Sequence, residues 1–276
     1  MRIVRSVEEM HGLALAWRNR GIRVGFVPTM GYLHKGHTTL IELMRRRCEV
    51  LVVSIYVNPL QFAPTEDLAR YPRDPEGDAQ KCVAAGCDVL FMPESLYPPD
   101  FRTTVSVRGL TSRWEGALRP SHFDGVATVV ARLFGLVQPS VAMFGEKDYQ
   151  QFAVLRAMAR DLAMGIEIVP GPLVRDDDGL ALSSRNVYLP PENRARALSL
   201  HRALFEMRDA PTTSVADRVT LGRELIRADS IDYLDIVDSE SLEPAETVDR
   251  PLRAIVAARY GAVRLLDNCT VGPVAA

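Results

Sequence analysis

Lysine is nearly missing from this chain. Of 33 basic residues only three are lysine, Lys35, Lys81 and Lys147, and arginine supplies the rest. An ammonium is a compact, mobile point charge where a guanidinium is a planar fork. Each remaining lysine is therefore a candidate for a task of its own, although composition alone assigns none. An excess of charge is missing too. The formal net charge is −2 over 276 residues, so nothing argues for a nucleic-acid surface or an anionic-membrane binder. No apolar run reaches the roughly 18–20 residues that cross a bilayer. The four cysteines, Cys48, Cys82, Cys87 and Cys269, match no zinc spacing, and a chain of this size needs no disulfide frame. They are expected to be buried or idle thiols in a reducing cytoplasm. The N-terminus, "MRIVRSVEEMHGLALAW", carries acidic residues within its apolar spacing and no small-residue cleavage pattern. It reads as a strand start and an amphipathic helix, not as a signal peptide. Internal repeats and low-complexity tracts are absent as well.

What is present is a core. The chain is 47% hydrophobic and 25% charged, enough for one large domain or two unequal ones. Its first part alternates two kinds of segment. "IRVGFVP", "EVLVVSIYV", "CDVLFMP", "SVAMFG" and "IEIVP" are strand-like. "TTLIELMRRRC", "PEGDAQKCVAAG", "GVATVVARLFGLVQP" and "YQQFAVLRAMARDLAM" are helix-like. "EVLVVSIYV" is almost wholly apolar and β-branched, as a strand covered on both faces must be. This alternation predicts an α/β fold, a parallel sheet wrapped by helices. The tail differs: a loop and long helix, "LSSRNVYLPPENRARALSLHRALFEM", another helix, "PTTSVADRVTLGRELIRA", and three strands, "SIDYLDIVD", "LRAIVAARY" and "AVRLLDN". It predicts a smaller C-terminal α+β domain. The expected domains are residues 1–174 and 175–276.

Chemistry concentrates in the turns. With five histidines in the chain, two stand together in "PTMGYLHKGH". The preceding strand ends at Pro28 and the next helix is expected to begin around Thr38. The loop thus joins the carboxyl end of a parallel strand to a helix N-terminus, where open α/β sheets bind nucleotides and where backbone N–H groups and the helix dipole favour phosphate. Gly31 and Gly36 let the chain turn and a ligand approach. His34 and His37, spaced i, i+3, either cap the helix or reach one ligand together, donating hydrogen bonds to developing negative charge. A second turn, "AMFGEKDYQQ", places Gly145, Glu146, Lys147 and Asp148 just after another strand, at the same sheet edge as the first. A third segment, "DDDGLALSSRN", brings Ser183, Ser184 and Arg185 after a turn at Asp178-Gly179. Their hydroxyls and guanidinium suit phosphate oxygens, and a place on a domain border would let them close over a ligand; a polar interdomain loop is the plainer alternative. "SIYVNPLQFAPTEDLARYPRD" offers Asn58, Gln61 and Tyr71, with neutral amides suited to a hydroxyl- or carboxylate-bearing substrate. His122, ahead of a helix in "RPSHFDGVATVV", is read as structural or capping.

Taken together and in order, "PTMGYLHKGH", "VSIYVNPLQF", "DLARYPRD", "HFDGVATVVARLF", "FGEKDYQQ" and "DGLALSSRNVYL" resemble the pantothenate synthetase family, the ATP-dependent pantoate–β-alanine ligases. H-x-G-H alone marks only the wider adenylyl-transferring superfamily. "VNPLQF", "FGEKDYQQ" and "GLALSSRN" narrow it. The resemblance implies a Rossmann-like first domain and a two-step reaction. Pantoate is adenylated by Mg-ATP, then β-alanine takes the acyl group and AMP leaves. It implies an ATP site of Met30, Gly31, Tyr32, Leu33, His34, Lys35, Gly36 and His37, with Gly145, Glu146, Lys147 and Asp148. Val174 would line the adenine site, and Leu182, Ser183, Ser184 and Arg185 would close over the phosphates. His37, His34, Lys147, Ser184 and Arg185 would carry the chemistry, His37 as proton donor. Gln61 and Gln151 would hold pantoate, with Gln61 near the β-alanine path. Mg2+ would ride on the phosphates, without a protein cage. A cytoplasmic homodimer joined through the N-terminal domain is implied, with no nucleic acid or membrane as partner. The chain departs from the family at Tyr32, where a small or amide residue is commoner, at Lys35, where an acid or amide is, and at Ser121, a frequent glycine. The rival readings are a nucleotidyltransferase moving AMP onto a phosphate ester, and a sensor that binds ATP without turnover.

Overall fold

The computed structural model describes residues 1–64, 66 and 68–273. Thr65 and Asp67, within the loop that leads to Tyr71, lie outside the described residues. The chain divides into two units. The first comprises Met1–Glu146 and Gln150–Pro172, and the second joins Lys147–Tyr149 to the chain from Leu173 on.

The first unit begins with β1 (Arg2–Val4), α1 (Val7–Asn19), β2 (Val24–Thr29), α2 (Lys35–Arg45), β3 (Val50–Ile55), α3 (Pro75–Ala84) and β4 (Val89–Phe91). It continues with α4 (Glu115–Leu118), α5 (His122–Val137), β5 (Val141–Gly145), α6 (Tyr149–Asp161) and β6 (Glu167–Gly171). The six strands form one parallel sheet in the order β1-β4-β3-β2-β5-β6. Strand order runs one way from β2 through β3 to β4 and the other way from β5 to β6. The topological switch point therefore lies between the carboxyl ends of β2 and β5, the place where such sheets take ligands. The β-branched centre of β3 is fully buried, as its composition predicts.

Both faces of the sheet are covered at this point. On one, Phe134 of α5 meets Phe26 of β2 and Phe144 of β5 edge to face, with centroids 6.4 and 6.3 Å apart. Such pairs add about 0.5–1.5 kcal/mol beyond the area they bury. On the other, Leu40, Ile41 and Met44 of α2 pack with Val27, Leu51, Val141 and Met143. Gly171, at the end of β6, lies under α2. A Cβ there would sit 2.0 Å from Leu40 Cδ2.

In the second unit α7 (Pro191–Asp209) and α8 (Val215–Leu225) precede an antiparallel sheet of β7 (Ser230–Asp238), β8 (Leu252–Tyr260) and β9 (Val263–Val271), in the order β7-β8-β9. Leu200, Leu204, Leu234, Ile236, Val256 and Tyr260 form its core. Buried Arg218 of α8 donates to the carbonyls of Arg208 at 2.7 Å and Thr212 at 2.7 Å. It thereby satisfies a carbonyl at the end of α7, where a helix runs out of its own donors, and one in the loop beyond it. The cysteines are free thiols; Cys82, Cys87 and Cys269 are buried and Cys48 partly so. Burial pushes the Cys269 thiol up to about 12, so it stays a thiol at neutral pH.

Candidate active site

The histidine loop leaves β2 at Thr29. Thr29 Oγ1 donates to the carbonyl of Ser54 at 2.8 Å and accepts the Gly31 N–H at 3.2 Å. Gly31 then turns at φ +85° and Tyr32 at φ 52°. The first conformation suits glycine; the second is uncommon for any other residue. What holds it is Asp78 of α3, 1% exposed, whose Oδ2 accepts the Tyr32 N–H at 2.7 Å and whose Oδ1 accepts the Leu33 N–H at 2.6 Å. Two charge-assisted bonds from one buried carboxylate pin consecutive amides.

The helix that follows starts at Lys35, three residues before the expected Thr38. The correction has a physical cause. His34 is the N-cap, and His37 stands at the third helical position. His34 Nδ1 accepts the Gly36 N–H at 3.1 Å, while His37 Nδ1 accepts the His34 N–H at 3.3 Å. This is a reciprocal capping box built from two imidazoles in place of the usual Ser/Thr and Glu/Gln. The rings lie 4.1 Å apart. Both histidines thus cap the helix, and in doing so each neutral ring carries its proton on Nε2. The capping alternative and the ligand alternative use opposite sides of the same rings.

Gln61, 8% exposed, sits in a short 3-10 turn after β3. Asn58, 1% exposed, sets its orientation. Asn58 Oδ1 accepts from Tyr97 Oη at 2.8 Å and Leu60 N at 3.3 Å; its Nδ2 donates to Gly125 O and to Gln61 Oε1, both at 3.1 Å. With its oxygen engaged, Gln61 presents Nε2 as donor. That nitrogen meets Met30 Sδ at 3.1 Å, a weak acceptor that an oxygen ligand would outcompete. The histidine loop and the amide loop therefore meet at Met30.

His122 begins α5 and its Nδ1 donates to the Gln61 carbonyl at 3.0 Å. Burial first, then the charge of Arg119, holds its pKa below the usual 6.5. The folded chain refuses a proton that the unfolded chain binds, so stability declines as pH falls below about 6.5. Urea midpoints at pH 7.5 and 5.5 should differ less in His122→Asn, which keeps a donor for Gln61, than in the parent. An equal difference would remove His122 from this account.

Gly145 ends β5 and pairs with Gly171. A 3-10 turn, Glu146–Asp148, leads into α6, whose first turn carries half-buried Gln151. Gln150 is occupied structurally: it accepts the Glu115 N–H and donates to the carbonyls of Leu110 and Arg113. Lys147 and Asp148 group with the second unit. There Lys147 Nζ lies 3.2 Å from Asp148 Oδ1, and Asn268 Nδ2 donates to the Lys147 carbonyl at 2.9 Å.

In that unit a short hairpin pairs Arg175 with Ala181, and the Leu182 N–H donates to Val174 O at 3.0 Å. Val174 and Leu182 are thereby neighbours. Its turn carries Gly179 at φ +95° and is braced by Arg194, bonded to Asp176 and Asp178. Ser183 Oγ accepts the Arg185 N–H at 3.3 Å, capping a 3-10 turn, Ser184–Tyr188. The first unit therefore brings together Met30 to His37 and Gln61, with Gly145 and Glu146 at the neighbouring strand end. In the second, Lys147 stands beside Asp148 and Val174 beside Leu182, with Ser183 to Arg185 following in chain order.

Asp78, Asn58 as a setter of Gln61, and Asn268 are the residues that sequence reasoning missed as parts of this arrangement. Asp78 stands 45 residues from its nearest partner in the loop. Its only local signal is an acid on the helix face that also carries buried Cys82.

The family model described as Pantoate-beta-alanine ligase matches residues 2–270. A Thermus thermophilus protein named pantothenate synthetase is 53% identical over 99% of this chain and 100% of its own length. A Rhizorhabdus wittichii protein of the same name is 49% identical over 99% of each chain. The crystal structure of a Thermus thermophilus pantothenate synthetase superposes with a TM-score of 0.92 at 51% identity, over 99% of this chain and 100% of that one. A Francisella tularensis pantoate-beta-alanine ligase, complexed with beta-gamma ATP and beta-alanine, superposes with a TM-score of 0.82 at 29% identity, over 98% and 97%. Sheet order, the paired imidazoles at the switch point and matches along nearly the whole length agree: the chain belongs to the pantoate-beta-alanine ligase family.

Proposed function

We propose that this ligase condenses pantoate with β-alanine at the expense of ATP, through pantoyl adenylate. In the first step a pantoate carboxylate oxygen attacks the α-phosphorus of ATP, and the bond to pyrophosphate breaks. In the second the β-alanine amine attacks the acyl carbon, loses a proton, and AMP leaves. A carboxylate alone is a poor acceptor because its leaving group would be oxide; adenylation supplies a good one. Residues 1–174 hold nucleotide and pantoate, and residues 175–276 form the smaller α+β domain.

His37 and His34 donate from Nε2 to phosphate oxygens as negative charge gathers there. Lys147 supplies a mobile positive charge, with Ser184 and Arg185 as further donors. Gln61 and Gln151 hold the pantoate oxygens, and Val174 lines the adenine site. Mg2+, when bound, screens the phosphates. The described residues hold no cage of three or more His, Cys, Asp or Glu side chains. Mg2+ on a nucleotide needs none, since it keeps water and phosphate oxygens as ligands. A homodimer joined through the first domain and a cytoplasmic setting complete the proposal.

The observation that carries this reading is the reciprocal imidazole cap, which gives both histidines a neutral Nε2–H donor beside the switch point. The deciding experiment supplies ATP, Mg2+ and pantoate without β-alanine and measures pyrophosphate. A burst of pyrophosphate with enzyme-bound pantoyl adenylate is expected. Silence with pantoate, with AMP transferred instead onto a phosphate ester, would overturn the reading in favour of a nucleotidyltransferase. Gln61→Ala should raise the KM for pantoate about tenfold or more, since it removes a hydrogen bond oriented before the substrate arrives. The KM for ATP should change little; an equal rise for both substrates would remove Gln61 from the acid pocket.

A further inference from the structure

Lys147 follows directly on β5 of the first unit, yet Lys147–Tyr149 group with the second. Contacts of both Lys147 and Tyr149 run to that unit. Asn268 Nδ2 donates to the Lys147 carbonyl at 2.9 Å. The Arg253 guanidinium lies over the Tyr149 ring, 3.9 Å from its centroid. Tyr149 Oη donates to the Ser239 carbonyl at 2.8 Å.

Asn268, on β9 and 3% exposed, has its amide orientation settled from the other side. Its Oδ1 accepts from Arg253 Nη1 at 2.9 Å, which turns Nδ2 toward the lysine turn. Its neighbour Asp267 accepts both terminal nitrogens of Arg175, at 2.7 and 2.8 Å. This is a bidentate pair of fixed geometry. Arg175 opens the hairpin that closes at Ala181, next to the Leu182–Arg185 segment. One dipeptide of β9 thus holds both the lysine turn and the base of the serine–arginine segment. The contact of Lys147 Nζ with Asp148 at 3.2 Å is partly exposed and holds the ammonium weakly. What is anchored is the lysine's backbone.

We propose that Asn268 is a positioning residue for Lys147, binding the lysine's turn to the second unit so that Lys147 and Ser183–Arg185 meet phosphate as one body. The inference rests on the reading that Lys147 stabilises phosphate charge, and it goes beyond that reading in naming what sets the lysine's place. A misplacement of about 1 Å in such a group slows chemistry about a hundredfold.

The test is a double-mutant cycle. Asn268→Asp keeps an oxygen for Arg253 but has no N–H for Lys147; Asn268→Ala is the second variant. Pyrophosphate release without β-alanine, the KM for pantoate and cooperative thermal unfolding are measured for each, for Lys147→Ala and for the doubles. Rates are compared among proteins that unfold like the parent. The Asn268 variants are expected to form adenylate about tenfold or more slowly, with pantoate KM unchanged. In the Lys147→Ala background they should cause no further loss. Should the two losses multiply, or should folded Asn268 variants keep the parent rate, the inference is wrong while the lysine's role stands. Should Lys147→Ala itself keep the parent rate, the role assigned to Lys147 fails, and the inference with it.

Discussion

His37→Ala is expected to slow pyrophosphate release with ATP and pantoate by about a hundredfold or more, the usual scale for a lost proton donor or oxyanion partner. The same change removes half of a helix cap, so part of any loss could come from the frayed start of α2. His37→Gln separates the two roles. Glutamine is a usual residue at the third position of a capping box, and its side-chain oxygen can accept the His34 N–H as Nδ1 of His37 does at 3.3 Å. The alanine variant should lose about 0.5–2 kcal/mol of stability, the range for a lost cap, and the glutamine variant much less. Both should lose adenylate formation, since neither a methyl nor an amide gives up a proton as an imidazole does. Parent-like turnover in His37→Gln would show that an amide N–H suffices at this place and that His37 is no proton donor.

Asp78→Ala is expected to have the largest effect on stability. Its carboxylate accepts two buried amides at 2.6 and 2.7 Å, and each orphaned donor costs about 1–3 kcal/mol. A loss of about 2–6 kcal/mol in urea unfolding follows from those two donors. Tyr32, held at φ 52°, would relax toward the common negative-φ regions and carry the loop away from its bound shape. Asp78→Asn keeps the volume but offers one acceptor where two are needed. It should fold, bind ATP at least about tenfold more weakly, and leave pantoate binding nearly intact, because a loop that must be reordered by its ligand lowers the apparent affinity. If Asp78→Asn bound ATP like the parent, the clamp would be a matter of folding alone.

These two residues show what a linear reading could reach. The parallel sheet was legible because strand and helix periodicities alternate, and the antiparallel C-terminal sheet because three strands come in succession after helices. His34 and His37 were legible because their spacing falls at a strand-to-helix junction. The helix start was not, because His-Lys-Gly looks like loop. Glycine disfavours a helix interior by about 1 kcal/mol relative to alanine, and an imidazole cap lacks the usual signature. Asp78 was invisible because its partners are backbone amides on a distant segment, and backbone leaves no mark in a sequence. The orientation of Gln61 was hidden for the same reason: Asn58 is itself aimed by the Leu60 N–H and the Gly125 carbonyl. The grouping of Lys147 with the second unit opposes chain order altogether, since it depends on Asn268, 121 residues further on.

The histidine helix rests one of its leucines on a glycine. The hydrogen that Gly171 carries in place of a methyl lets Leu40 descend onto the sheet, and Leu40 stands one turn beyond His37. Any larger residue at 171 would have to push the Leu40 methyl aside, since a Cβ there would stand 2.0 Å from it. The strand farthest from β1 thus shapes the seat of the histidine helix by leaving an atom out.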